Sequence, residues 1–380
     1  LNAPQPMAPV TLRFDAGVAL AGEGALQIAV DLFAPPAGVT PRALLWCLPG
    51  GNMNRRYYDL MPPAESGGAG DEGRGLRRSY RNAPADSTRE VTRAPAVVGA
   101  AQAATSALAA DSAHIESDTS FSFARTMASH GYVVAAVDYL GLGDSSRPTD
   151  GWQCTPDTLT AINRHVHETL MARLRDGTAH PQLRGLPGLV SIGVGHSMGA
   201  MMTILQQAAH APHAGIVLLG FSTRGLPEYL PPQLQGLTDP LAARPLLLDV
   251  AKSMYGGQAY PVIHAARAGN RELFGSTRAD PRGVAALKAA TDCLLPIPAS
   301  LSMVPGNVAP EAASIAVPVF LGVGGRDMVG PVHQVPTAFT GASDITLLVL
   351  PETGHSHFLF ATRGTLFRRL TQWAASAVLR

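Results

Sequence analysis

Charge is scarce in this sequence, and so is any imbalance of it. Only 15% of the 380 residues are Asp, Glu, Lys or Arg, and 29 basic against 28 acidic side chains leave a formal net charge of +1. No global field is available to draw in a polyanion, so nucleic acid and anionic membrane surfaces are not expected partners. Cysteine is equally sparse. Cys47, Cys154 and Cys293 are odd in number and far apart, which excludes a complete disulfide framework and a Cys-rich metal site and leaves room for a single disulfide at most. Long apolar runs are missing too: none approaches the roughly 20 residues that span a bilayer. The opening Leu1-Asn2-Ala3-Pro4-Gln5-Pro6 lacks the basic and apolar regions of a signal peptide. Cytoplasmic location is therefore the default expectation, although a chain that begins with Leu1 leaves earlier processing open.

What is plentiful is apolar side chain, 46% of the residues, enough for one large core or a core plus a subdomain. Short runs rich in Val, Ile, Leu and Ala recur at 25–33, 42–48, 132–139, 189–194, 215–219, 317–323 and 345–350. Most are continuous rather than alternating, as expected of strands buried on both faces of a mostly parallel sheet. Between them, 120–130, 155–175, 198–209 and 357–378 carry the periodicity of covering helices. Thr155-Pro156 reads as an N-cap followed by proline at the first helical position. The fold class is α/β, a mostly parallel twisted sheet flanked by helices.

Two stretches interrupt the alternation. Residues 62–118, rich in Gly, Ala, Ser and Arg, read as a flexible insertion within the core, with one helix through 96–110. Residues 222–314, with many prolines and helix-like pieces at 245–255 and 282–292, read as a helical cap between core segments 1–221 and 315–380. A cap there sits over the strand ends, where open α/β sheets bind their ligands. Leu230, Leu241, Leu246, Met254, Tyr255 and Met303 are among its apolar side chains; they offer a pocket for an acyl or aromatic group, or simply pack the cap.

The chemistry is carried by Gly195-His196-Ser197-Met198-Gly199. It follows one expected strand and precedes one expected helix. In a Gly-x-Ser-x-Gly turn of this kind the serine occupies a strained backbone conformation, the flanking glycines avoid collision with neighbouring backbone, and the next helix aims its N-terminal N–H groups at developing negative charge. A serine hydroxyl needs an imidazole to take its proton and a carboxylate to orient that imidazole. Asp327 follows the strand 317–323 in Gly324-Gly325-Arg326-Asp327, and His355 follows the strand 345–350 in Pro351-Glu352-Thr353-Gly354-His355. Glu352 and Asp344 are the other carboxylates nearby, and His357 is a second candidate base. His165 and His167, two apart on one helix, point to different sides and make a poor metal site. No metal and no cofactor are expected.

The order Ser197, Asp327, His355, with Gly-Gly-Arg-Asp and Thr-Gly-His at successive strand ends, resembles the α/β-hydrolase superfamily in its capped serine esterase and lipase-like branch. The resemblance runs from about residue 25 to the C-terminus, apart from the insertion. It implies that Ser197 is the nucleophile, that Asp327 is the acid, and that His355, directly after the glycine, is the base rather than His357. Similar hydrolases often carry His-Gly-x after the strand that ends here at Leu48. This chain has Pro49-Gly50-Gly51-Asn52, so a side-chain role for that histidine is excluded. Gly51 and Met198 remain the backbone donors of an oxyanion hole, with Asn52 as the alternative. Asp138-Tyr139-Leu140-Gly141-Leu142-Gly143-Asp144-Ser145 resembles the family's Asp-x-x-Gly-x-Gly-x-Ser loop and is read as architecture beside the pocket; it lacks the third glycine of a dinucleotide fingerprint.

The implied activity is hydrolysis of a small-molecule carboxylic ester through an acyl-enzyme on Ser197. A lactonase, thioesterase, C–C bond hydrolase or acyltransferase uses the same triad. A ligand-binding scaffold on this fold would leave the triad idle. Serine at the elbow, where epoxide hydrolases and haloalkane dehalogenases of this fold have aspartate, sets those relatives aside.

Overall fold

Eight strands form one sheet: β1 (Val10–Asp15), β2 (Gln27–Phe33), β3 (Leu44–Leu48), β4 (Val133–Val137), β5 (Ser191–His196), β6 (Gly215–Leu219), β7 (Val319–Gly324) and β8 (Ile345–Leu350). The computed structural model describes residues 9–62, 121–230, 239–263 and 278–379, which belong to one body. The expected insertion at 62–118, Pro62 apart, lies outside them, as does the helix expected at 96–110. The spatial order is β1-β2-β4-β3-β5-β6-β7-β8. β2 runs antiparallel to β1 and β4, and every pairing from β4 through β8 is parallel.

The continuous apolar runs follow from burial on both faces. Along β3, Leu44, Trp46 and Leu48 enter the hydrophobic cluster on one face while Leu45 and Cys47 enter the cluster on the other. The first cluster is closed by α2 (Pro156–Asp176) and α3 (Met198–His210), the second by α1 (Phe123–Ser129) and α9 (Arg363–Trp373). Each fully buried aliphatic side chain in these layers contributes roughly 1.5–3 kcal/mol. As expected, Thr155 caps α2, its Oγ1 accepting from the Thr158 N–H at 3.1 Å with Pro156 at the helix start.

The expected elements need one addition and one correction. β1 was not anticipated, because Val10-Thr11-Leu12-Arg13-Phe14-Asp15 alternates apolar and polar residues, as an edge strand does, instead of forming a continuous run. The helix expected over 357–378 is broken into a 3-10 turn at His357–Leu359, α9, and a π-helical end at Ala374–Val378. The other strand and helix bounds shift by two or three residues at most.

Between β6 and β7 the chain builds short helices: α4 (Pro240–Ala243), α5 (Leu247–Met254), α6 (Pro281–Ala290), α7 (Pro296–Met303) and α8 (Ala309–Ser314). Except in α5, proline stands in the first turn of each, a position where its missing N–H costs nothing. α7 packs on both α5 and α3. Because β3 to β8 are parallel, the loops after Leu48, Val137, His196, Leu219, Gly324 and Leu350 all emerge at one edge of the sheet, on the side of the N-terminus of α3.

Candidate active site

Ser197 is held at φ 54°, ψ −121° between β5 and α3, a conformation an L-residue adopts only when its surroundings impose it. They do so here by close approach. A Cβ on Gly195 would run into the Gly199 carbonyl oxygen, and one on Gly199 into the carbonyl oxygen of Leu48. Hydrogen at both positions is what lets the turn close. The Ser197 N–H donates to Leu219 O at 2.8 Å, tying the turn to β6.

The loops after β7 and β8 are knitted together. Gly325 donates to Leu350 O at 2.7 Å and Arg326 to Thr353 O at 3.0 Å. This places Asp327 beside His355, with His355 Nδ1 2.8 Å from Asp327 Oδ1. A carboxylate only accepts, so Nδ1 carries the hydrogen, and Nε2 of a neutral ring holds a lone pair. His357 Nε2 lies 3.0 Å from the second oxygen, Oδ2, and the Met328 N–H donates to Oδ1 at 2.7 Å. Burial alone would raise the Asp327 carboxyl; His355 and His357 outweigh it and hold the group well below the usual carboxylate range. Gly220, at φ 61° after β6, leaves room for the pair, since a Cβ there would stand 3.1 Å from His355 Nδ1 and 3.2 Å from Asp327 Oδ2.

Ser197 and His355 line one cavity of about 250 Å³, together with Gly51, Met198 and apolar side chains from the β6–β7 segment. His357 does not line it and is fully buried. Among the rival acids, Glu352 pairs with Arg278 and Arg326 at 2.8 and 2.7 Å. Asp344 is exposed at the start of β8, at the far end of the strand from His355.

Gly51 and Met198 come together at the cavity wall, an ideal Cβ on Gly51 lying 3.9 Å from Met198 Cβ. Neither backbone N–H has an acceptor among the described residues, and Met198 is the first residue of α3, where N–H groups are unpaired by construction. The Asn52 side-chain amide is already engaged, donating to Ile263 O at 2.8 Å. The loop is anchored from behind. The Arg55 N–H donates to Asp138 Oδ1 at 2.7 Å, and its guanidinium pairs with Asp138, with Asp31 at 2.8 Å and with Asp144 at 2.7 Å. The loop 138–145 thus acts as architecture by supplying carboxylates to Arg55.

Three contributors were not singled out from the sequence: His196, Tyr57 and Arg55. His196 Nε2 donates to the His355 carbonyl at 2.9 Å, and its ring stacks on Tyr57 at 4.6 Å, which stacks in turn on Phe358 at 4.9 Å. Of the apolar side chains expected around the pocket, Met254, Tyr255 and Met303 line it. Leu230 is buried without lining it, and Leu241 and Leu246 are exposed. Another serine, Ser191 at the start of β5, lies 2.9 Å from both His167 Nε2 and His213 Nδ1. It is 2% exposed and lines neither the cavity nor its side recess.

A parallel sheet with a strained serine between strand and helix, at the edge where a cavity opens, defines a class of α/β enzymes. The chain belongs to the alpha/beta hydrolase family, which it matches over residues 116–365, more than half its length. Among solved structures it is similar to a highly thermostable carboxyl esterase from Bacillus coagulans, at 16% identity and a TM-score of 0.56 over 98% of this chain and 99% of that one. It is also similar to the peroxisomal alpha-beta-hydrolase Lpx1 from Saccharomyces cerevisiae, at 12% identity and a TM-score of 0.51 over 99% and 90% of the two chains. The thioesterase domain from the curacin biosynthetic pathway shares 14% identity and a TM-score of 0.50 over 95% and 99%. Identities this low establish a common fold. No curated protein matches the sequence. Among the described residues, no helix is long and apolar enough to cross a membrane.

Proposed function

We propose that this hydrolase cleaves carboxylic esters through an acyl-enzyme on Ser197. The observation that carries the reading is the strained Ser197 sharing a cavity with His355, whose Nδ1 is held on the buried Asp327. His355 Nε2 takes the hydroxyl proton as Ser197 Oγ bonds to the acyl carbon, and the N–H groups of Gly51 and Met198 receive the oxyanion. The C–O bond to the alcohol then breaks, and His355 delivers the proton to that leaving oxygen. Water enters, gives its proton to His355 and attacks the acyl carbon. Collapse releases the acid and returns the proton to Ser197. Asp327 remains a carboxylate throughout and stabilises the imidazolium at each stage.

The residues 222–314 are the cap of this reading, and the substrate is a small molecule with an apolar acyl or aromatic group. Met53, Met254, Met303, Leu226, Ile263 and Leu294 line the cavity, and no Asp, Glu, Lys or Arg side chain does so among the described residues. Ser191 is not assigned the role. No substrate carbonyl reaches a serine sealed between two imidazoles. A thioester or lactone, or acyl transfer to an alcohol, would use the same atoms and differs only in the leaving or accepting group.

Ser197→Ala tests the proposal. Turnover of a nitrophenyl ester is expected to fall by at least about 10³-fold, and a fluorophosphonate is expected to label the wild-type protein once, on Ser197. A variant with wild-type rates, or a label on another serine, overturns the assignment. Product analysis with and without an added alcohol separates hydrolysis from acyl transfer.

A further inference from the structure

We propose that His357 is a positioning residue, holding the second carboxylate oxygen of Asp327 so that the first stays on His355. This rests on the assignment of Ser197, His355 and Asp327 made above. The Asp327 side chain is 0% exposed. Its Oδ1 accepts from His355 Nδ1 and the Met328 N–H, whereas Oδ2 has His357 Nε2 as its partner, at 3.0 Å. On the Oδ2 side the neighbouring backbone is Gly220, with no side chain to take over. Removing His357 leaves a desolvated anionic oxygen unpaired, which destabilises the carboxylate and frees it to rotate away from His355.

The tautomer is set by the surroundings. His357 Nδ1 is buried without a hydrogen-bond partner, so a proton there would be stranded, and the neutral ring with hydrogen on Nε2 satisfies the pair. Apart from Asp327, the titratable groups around His357 are His355 on its own loop, His196 at the end of β5 with its ring 5.9 Å away, and Tyr57 beneath His196. Burial pushes the His196 imidazole well below its ordinary range, and burial and then Asp327 push the Tyr57 hydroxyl up, so both are neutral. A neutral donor at Oδ2 supports the anion without adding a cation that would compete with the His355 imidazolium formed in each half-reaction. His357 is sealed from the cavity and so acts only through Asp327.

The test compares His357→Leu with His357→Gln, whose amide nitrogen reaches the place of Nε2. For His357→Leu, kcat is expected to fall by about 10- to 100-fold with KM within about 2-fold. The acid limb of its kcat/KM profile is expected to move to higher pH, because Asp327 takes a proton more readily. His357→Gln is expected to recover most of kcat and the original limb. A His357→Leu enzyme with wild-type kcat and pH profile, or a His357→Gln enzyme impaired to the same extent as His357→Leu, overturns the proposal. Should His357→Leu fail to fold, the wild-type ring decides: nitrogen-15 NMR is expected to show hydrogen on Nε2 and none on Nδ1 across the active pH range, and hydrogen on Nδ1 sinks the idea. Fluorophosphonate labelling of Ser197 in the wild type keeps the two readings apart. An unlabelled Ser197 defeats the nucleophile assignment, whereas a labelled enzyme indifferent to His357→Leu defeats the positioning role alone.

Discussion

His196, the residue immediately before Ser197, donates from Nε2 to the backbone carbonyl of His355 across 2.9 Å. One side chain therefore registers the turn that carries the proposed nucleophile against the loop that carries the proposed base. The ring is locked from the other side by its stack on Tyr57, and the His357 N–H shares the same carbonyl at 3.1 Å.

Replacing His196 by Leu keeps an apolar body of similar size and deletes the donor. The expected result is a drop of about tenfold in kcat with little change in KM, and a parallel slowing of fluorophosphonate labelling at Ser197. Labelling at the wild-type rate would show that His196 does not register the two loops.

Arg55 and Asp138 make a second test, directed at the loop that presents Gly51. The Asp138 side chain is 0% exposed and that of Arg55 5%. Burial pushes the Asp138 carboxyl up, and Arg55 is the main group pulling it back. Arg55→Met strands this carboxyl and is expected to cost about 3–5 kcal/mol of stability, read from urea unfolding, together with most of the proposed turnover of a nitrophenyl ester. Asp138→Asn in the same chain should recover part of the stability by removing the stranded charge. A single Arg55→Met variant as stable as the wild type would contradict this account.

Acid sensitivity follows from the buried imidazoles. Burial lowers His167 from an ordinary 6.5 to about 4, and it also holds His213 well below its ordinary value. A histidine whose folded value is depressed contributes stability that is present above about 6.5 and is lost as pH falls through the folded value. For His167 the loss amounts to about 3 kcal/mol between roughly pH 6.5 and 4. His167→Gln, which keeps an N–H towards Ser191 and does not titrate, is expected to flatten the fall in unfolding free energy over that window. A profile parallel to the wild type would exclude His167 as a source.

Much of the sheet was legible because strands buried on both faces need unbroken apolar runs: 215–219 appears in the structure with those bounds and is buried throughout, and 345–350 keeps its bounds as an apolar strand at the sheet edge, exposed or half-buried up to Leu350. β1 escaped the same criterion because an edge strand alternates. The break after His357 escaped as well: apolar spacing through 357–378 is compatible with one helix, and the packing of Phe358 on Tyr57 and Phe123 instead draws a 3-10 turn into the core.

The elbow at Ser197 was written locally, since Gly195 and Gly199 flank the serine at the one spacing that relieves backbone collision, and the strand-end positions of Asp327 and His355 followed from short motifs behind apolar runs. What waited for the tertiary structure was everything made between distant segments. Arg55 gathers carboxylates from positions 31, 138 and 144, and His196 meets Tyr57 and His355. Asp327 takes its second side-chain donor from His357, and the cavity draws its walls from segments more than 200 residues apart, such as Gly51 and Met303. Local sequence encodes backbone conformation and burial period. It does not encode which of several buried polar groups will face one another, because that is settled only when the sheet brings their loops to a common edge and each desolvated group must find a partner.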